Sequence, residues 1–332
     1  MMTAPRYDVL GIGNAIVDIL AHADDALIGR LGLAKGHMQL IDADAVTRLY
    51  AAMGPAVEIS GGSASNTIAG VASYGGKGAF IGRVADDDFG KIFRHDIRSI
   101  GVAFDSAPAR GGLPTARSLI LVTPDGQRTM STFLGAAAEL GIAEIVAEPI
   151  EAAAITYLEG YLFDRAEAMA AFRKAAEIAR KAGRRVALSL SDGFCVERHR
   201  ADFLHLIRDQ IDIVLANTQE LEALYQSSFE EGCRRIAADA PLAAVTRSEK
   251  GSVILRGSER VEVPAEPIAR LVDTTGAGDL YAAGFLLGQA RGLSLFQCGT
   301  LGSVAAAEVI QHLGARPQTP LADLARTKGI GI

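Results

Sequence analysis

Two aspartates bracket a short glycine turn at Asp273-Thr274-Thr275-Gly276-Ala277-Gly278-Asp279, and an apolar helical pattern begins directly behind it. Glycines let backbone N–H groups approach a ligand closely, and a helix start adds unpaired donors and the positive end of its dipole. Such a turn stabilises an anion, above all a phosphoryl group that gathers charge in its transition state. Asp279, beside it, can take the proton of an attacking hydroxyl. The plainer reading is a glycine turn whose aspartate caps the helix, but two aspartates around an interleaved Gly-Ala-Gly exceed what a cap needs.

A second small-residue stretch, Ser60-Gly61-Gly62-Ser63-Ala64-Ser65-Asn66, also precedes a helical pattern. Gly61 and Gly62 allow a ligand against the backbone, and Asn66 offers a donor and an acceptor to sugar hydroxyls. Asp18 interrupts an apolar run, where an unpaired carboxylate is unfavourable; a contact to a diol or an exposed strand position each explain it. Asn217 and Glu220 follow an apolar run from Ile211 to Ala216, at a strand's carboxyl end where α/β proteins bind ligands. They suit either an ordinary helix start or the organisation of a triphosphate and magnesium through water. Thr246 to Gly251 has the look of a further phosphate-facing loop.

Several chemistries are disfavoured. Gly11-Ile12-Gly13 has Ile16 where a third glycine would complete a dinucleotide fingerprint, and Gly76-Lys77 has Val71 where a P-loop needs glycine. Cys195, Cys233 and Cys298 lie far apart without CxxC spacing, which suits buried thiols in a reducing cytoplasm. His199 and His205 are not spaced to share a helix face. The acids Asp86-Asp87-Asp88 before a helix read as its cap rather than as a metal site. A formal net charge of −6 offers no basic face for nucleic acid or anionic lipid. Asp18 breaks the apolar start, which argues against a signal peptide, and Leu280 to Ala290 is too short to span a bilayer, which takes about 20 residues.

Hydrophobic residues at 49% and charged residues at 22% of 332 fit a globular chain with a large core. Tyr7–Ile12 reads as a buried strand, and pieces of 16–41 as solvent-facing antiparallel strands. Helices are expected over 42–53 and 64–74, a strand over 77–84, and a helix up to about Ile100. Thr115–Val122 and Gln127–Leu134, joined by Pro124-Asp125-Gly126, form a hairpin that joins 16–41 in a small separate sheet. Beyond 150, strands at 154–160, 185–190 and 211–215 alternate with helices at 164–182, 199–208 and 218–226. That alternation predicts a parallel sheet covered on both faces. Val245, 253–255 and 261–263 add strands, and helices 277–290 and 294–312 close the chain.

These motifs together resemble the ribokinase (PfkB) family of sugar and nucleoside kinases over essentially the whole chain. Asp273 to Asp279 resembles its carboxyl-terminal signature, and Gly61-Gly62 through Asn66 to Asp86-Asp87-Asp88-Phe89-Gly90 its amino-terminal one. The resemblance implies a ribokinase-like α/β fold over 1–332, doubly wound on a mostly parallel sheet, with an inserted β-sheet lid from about 15–41 and 105–135. It implies Asp279 as base, residues Gly276, Ala277 and Gly278 as anion hole, and Asn217 with Glu220 governing magnesium and phosphate. Thr246, Gly251, Thr275 and Ser303 would line the ATP site, although Ser248 replaces a glycine often found there. Asp273 and Thr275 would supply part of a monovalent-cation (potassium) site completed near Val309, His312 and Gly314.

Within the family the chain is most similar to adenosine kinases, through Asn14 with Asp18, Gly62 with Asn66, Gln127-Arg128 leading to Leu134, and Gly160-Tyr161. In that resemblance Asp18 and Asn66 hold a ribose diol and Tyr161 stacks on the base. Arg128 either reaches the transferring phosphate from the lid or is an exposed strand arginine. A free sugar such as ribose or fructose, or another nucleoside, is the alternative acceptor. The other class is a sensor of sugars or nucleotides without turnover, against which the intact Asp279 and Gly-Ala-Gly argue. A cytoplasmic monomer or homodimer with small-molecule ligands, and with neither nucleic-acid nor membrane partners, is expected.

Overall fold

The computed structural model describes residues 4–332 of the chain; Met1 to Thr3, the start of the segment weighed as a leader, lie outside them. The strands are β1 Tyr7–Ile12, β2 Ile16–His22, β3 Met38–Leu40, β4 Ala56–Gly61, β5 Gly78–Ile81, β6 Ala116–Val122 and β7 Arg128–Phe133. They continue with β8 Ala153–Glu159, β9 Arg185–Ser189, β10 Ile213–Asn217, β11 Leu242–Thr246, β12 Ser252–Arg256 and β13 Glu259–Val263. The helices are α1 Asp25–Arg30, α2 Ala43–Ala52, α3 Ser63–Ser73, α4 Asp88–Ser99, α5 Ala147–Glu151 and α6 Ala166–Lys181. After them come α7 Gly193–Gln210, α8 Thr218–Tyr225, α9 Phe229–Asp239, α10 Ala277–Ala290, α11 Leu295–Val309 and α12 Leu321–Thr327.

Eight strands form the large sheet, in the order β13-β12-β11-β10-β9-β8-β1-β5. From β5 to β11 every neighbouring pair is parallel, while β12 and β13 add on antiparallel. The apolar run of β1 is explained by its place between β5 and β8, covered on both faces. Val9 packs into the layer containing α3, α10 and α11, whereas Leu10 and Ile12 point to the layer of α6 and α7. Strand order reverses at β1, and the carboxyl ends of such strands border the crevice where open α/β sheets take ligands.

The small sheet runs β3-β7-β6-β2-β4. It corrects the expectation of an antiparallel arrangement over 16–41: β2 pairs parallel with β6 and β3 parallel with β7. It also contains a strand absent from that expectation, β4, antiparallel to β2. Residues 25–30 are helical, because Asp24 accepts the Leu27 N–H at 2.7 Å and starts a turn where alternation suggested strand. Asp87 caps α4 through the Gly90 N–H at 2.8 Å and also accepts from Thr115, as the capping reading anticipates. All three cysteines are buried and free. No helix among the described residues is long and apolar enough to cross a membrane.

Candidate active site

The anion turn is fixed by its helix. α10 is apolar around its circumference, so it is buried against α3 and α11, and its amino end has one position. Gly276 at the N-cap has a φ of 80°, and a Cβ there would lie 2.7 Å from the Ala315 Cβ. No side chain caps this end. The Ala277 N–H donates to Thr274 O at 3.2 Å, while the N–H groups of Gly278 and Asp279 meet no acceptor among the described residues. Gly278 borders open space. Unpaired donors at the positive end of a helix are what an anion needs.

Asp279 stands in the first turn of α10, where Ser63 Oγ donates to Oδ1 at 2.6 Å and Asn66 Nδ2 donates to Oδ2 at 3.0 Å. Burial raises its carboxyl above the usual range; the two hydrogen bonds and the charge of Arg316 act against that rise. The bond from Asn66 leaves its Oδ1 buried without a partner. Asp18, on β2, also accepts no hydrogen bond among the described residues. Its carboxylate packs so closely on Gly61 that any side chain there would overlap it. Burial pushes the Asp18 carboxyl up to about 6, against the attraction of Arg128 and Arg316 and with the repulsion of Asp279.

Two charged residues outside the expected set complete this wall. Glu159, at the carboxyl end of β8, accepts from Asn14 Nδ2 at 2.6 Å and from the Ala64 N–H at 2.8 Å. It thereby joins β1 to the start of α3, next to Gly62, whose φ of 95° brings it against Asn14 O with no room for a Cβ. Burial pushes the Glu159 carboxyl up to about 7, although these hydrogen bonds lower it. A carboxylate closing an apolar strand run is the sequence signal that could have flagged it, since a buried charge requires partners. Arg316 carries no such signal, being one arginine in an irregular segment. Its guanidinium donates to Ser60 O, Ser60 Oγ, Ser65 O and Ser65 Oγ.

Arg128 is not the exposed strand arginine of the plainer reading. Its side chain is buried and pairs with Asp273, the residue that opens the motif of the anion turn. The other contacts to Asp273 are from Thr275 N–H at 3.0 Å, Thr275 Oγ1 at 2.7 Å and Gly314 N–H at 3.1 Å. Both carboxylate oxygens thus face donors, one of them already cationic. In this arrangement Asp273 and Thr275 do not fit a second, monovalent cation.

Asn217 and Glu220 form a capping box at the start of α8. Asn217 Oδ1 accepts the Glu220 N–H at 2.8 Å, and Glu220 accepts the Asn217 N–H at 2.9 Å and Nδ2 at 2.7 Å. Both Glu220 oxygens are engaged and the side chain is buried, which pushes its carboxyl up to about 7. The pair therefore does not fit direct ligation of an ion, and no group of three or more candidate ligands occurs among the described residues. Thr246 is the register partner of Asn217 on β11, and Gly251 adjoins Val263. Ser303 donates to Pro264 O at 3.3 Å, placing these residues around the β10–β13 end of the large sheet. Ser248 has a φ of 52°, the left-handed backbone that a glycine adopts more readily.

Tyr161 lies just past β8 on a short 3-10 helix and is 44% exposed. Leu134 is partly buried at the end of β7. A cavity of about 480 Å³ lined by Arg83, Arg110, Glu139 and Arg165 contains none of these residues. Its Arg83 is already paired with Glu139 and Glu144.

Known proteins of the same architecture have related sequences. The adenosine kinase of Sinorhizobium meliloti is 54% identical, superposes with a TM-score of 0.89, and aligns over 97% of this chain and 99% of its own. A probable sugar kinase protein from Rhizobium etli CFN 42 is 51% identical with a TM-score of 0.90, over 98% of this chain and 99% of its own. Fructokinase-1 of Oryza sativa subsp. japonica is 29% identical over 265 residues, covering 77% of this chain and 82% of that protein. Residues 40–322 match the pfkB family carbohydrate kinase description. With its helix-borne anion turn and adjacent Asp279, the chain belongs to the pfkB family of carbohydrate kinases, ATP-using phosphotransferases with a hydroxyl acceptor.

Proposed function

We propose that the chain transfers the γ-phosphoryl group of MgATP to the 5′-hydroxyl of adenosine, giving AMP and ADP. The observation that carries this reading is a pair of acceptors on one wall that receive no hydrogen bond, the buried Asn66 Oδ1 and the Asp18 carboxylate. Both await donors, and a vicinal diol provides two. The ring of Tyr161 gives a flat face for a purine. The similarity to the Sinorhizobium meliloti adenosine kinase supports the same acceptor.

Asp279 accepts the 5′-hydroxyl proton as that oxygen bonds to the γ-phosphorus and the bond to the β-phosphate oxygen breaks. Ser63 and Asn66 hold its two oxygens, so the carboxylate is oriented before substrate arrives. The free N–H groups at the start of α10 receive the charge gathering on the phosphoryl oxygens. Asn217, Thr246, Gly251 and Ser303 flank the donor nucleotide, and the small sheet acts as a lid that closes over the acceptor. Magnesium bound to the triphosphate would be met through water by Glu220 and would neutralise charge on the phosphate oxygens.

A free sugar as acceptor is the second reading, favoured by the 51% identity to the Rhizobium etli protein named a probable sugar kinase. Measuring kcat/KM for adenosine, inosine, ribose and fructose by coupled ADP release separates the two. The adenosine reading requires adenosine to exceed both sugars.

A further inference from the structure

Three consecutive residues between α11 and α12 touch three separate parts of the site. The Gly314 N–H donates to Asp273, Ala315 packs on Gly276 of the anion turn, and Arg316 holds Ser60 and Ser65 on either side of Gly61-Gly62. The segment is itself anchored by Glu308, which accepts the N–H groups of Gln318 and Thr319 at 3.0 and 2.8 Å. Ser60 is held from its other side by Asp96 of α4, which accepts its N–H at 2.8 Å and its hydroxyl at 2.5 Å.

We propose that Arg316 is a positioning residue for phosphoryl transfer, clamping the turn that carries Ser63 and Asn66 to the anion turn and supplying the positive charge shared by Asp18, Asp96 and Asp279. Resting on the reading of Asp279 as base, this adds a residue that touches neither the reacting atoms nor the substrate. Its geometry is specific to a guanidinium. Four acceptor atoms on two residues are reached by one planar fork, which a lysine ammonium cannot reproduce.

The charge environment gives the role a signature that mere scaffolding lacks. Arg316 faces Asp18 from β2, Asp96 from α4 and Asp279 from α10. Asp279 feels in addition the hydrogen bonds of Ser63 and Asn66 from α3, and its charge acts on Asp18 and on Glu159 and Tyr157 of β8. Arg128 of β7 faces Asp18 as well. Arg316 is the guanidinium that acts on Asp279 itself, so removing it leaves burial less opposed and makes the base harder to ionise. A base must be ionised to work, so activity is lost as pH falls through its pKa, and a raised pKa moves that loss to higher pH.

The test compares wild type, Arg316→Gln and Arg316→Lys in full-length enzyme, using whichever of adenosine and fructose the wild type phosphorylates. In Arg316→Gln the acid limb of the kcat profile should move up by about one pH unit, the lower end for loss of a neighbouring opposite charge. The KM for the acceptor should rise while that for MgATP changes little. Arg316→Lys should recover the wild-type acid limb but not the acceptor KM, and its amides over 63–66 should exchange hydrogen faster than in wild type. A wild-type pH limb in folded Arg316→Gln, or wild-type KM and exchange in Arg316→Lys, overturns the proposal. If Arg316→Gln does not fold, the Lys variant alone decides. Failure of adenosine in the wild type concerns only the acceptor, because every comparison is between variants on one accepted substrate.

Discussion

Arg128 of the small sheet and Asp273 of the large domain form a buried ion pair between residues 145 positions apart. The pair ties β7 to the segment leading into the anion turn, and it puts a guanidinium beside a carboxylate whose motif suggests a metal cation. A fixed guanidinium and a mobile potassium ion cannot occupy the same side of one carboxylate. Wild-type activity should therefore respond little when potassium replaces a bulky organic cation at constant ionic strength. Arg128→Gln should become responsive, because Asp273 is then left without its cation. Strong potassium activation of the wild type would mean that Arg128 leaves Asp273 during turnover.

Asp279→Asn keeps the shape of the side chain and its place between Ser63 and Asn66 but removes the proton acceptor. Its kcat should fall on the order of 10²–10⁴-fold, with the thermal midpoint close to wild type. Near-normal turnover in the folded variant would remove Asp279 as base.

Glu220 provides a prediction about stability. Its carboxyl is raised to about 7 by burial, so the folded state binds a proton more tightly than the unfolded chain does. The associated stability is fully present below the ordinary value of 4.5 and is lost as pH rises through about 7. Glutamine at the same position keeps a capping box, so Glu220→Gln should flatten the dependence of Tm on pH between 4.5 and about 7 without abolishing the fold. An unchanged slope would show that Glu220 is not the responsible group. A rise in the KM for MgATP in the same variant would support its expected place at the donor site.

How much of this was legible beforehand follows from the range of the interactions. The apolar runs of β1 and β10 and the helix Ala277–Ala290 are local patterns, and the structure has them where the sequence places them. β4 escaped because it is a short edge strand whose Val57 is 63% exposed, so no burial pattern marks it. α9 carries a mixed run, Phe229-Glu230-Glu231-Gly232-Cys233, with a glycine in its first turns. In the site, Asp279 and Gly276 belong to one contiguous motif, whereas Glu159 and Arg316 act only through residues 95 and 251 or more positions away. Arg128 is visible as a residue but not as a partner, since its target depends on how the two sheets meet.

The acceptor itself tests the division of labour along the wall. Asn66 Oδ1 lacks a partner and Asp18 accepts no hydrogen bond among the described residues, so a bound diol would give each of them a donor. A ligand lacking the 2′-hydroxyl leaves one of them unpaired in a closed site, a penalty of about 1–3 kcal/mol for a buried group and more for a charged one. The enzyme should therefore prefer adenosine to 2′-deoxyadenosine in kcat/KM by roughly 10-fold or more. The Asp18 carboxyl, raised to about 6, makes this preference dependent on pH. As pH falls through about 6 the carboxylate gains a proton and accepts less well, so adenosine affinity should weaken there, and Asp18→Asn should remove that dependence. Tyr161 acts on the other end of the ligand. Base stacking contributes about 1–3 kcal/mol in nucleic-acid sites, so Tyr161→Ala should raise the adenosine Kd by about tenfold and leave any ribose binding nearly unchanged. Ribose or fructose matching adenosine in the wild type, with Tyr161→Ala neutral, would replace the nucleoside by a free sugar while leaving the pfkB kinase chemistry at Asp279 in place.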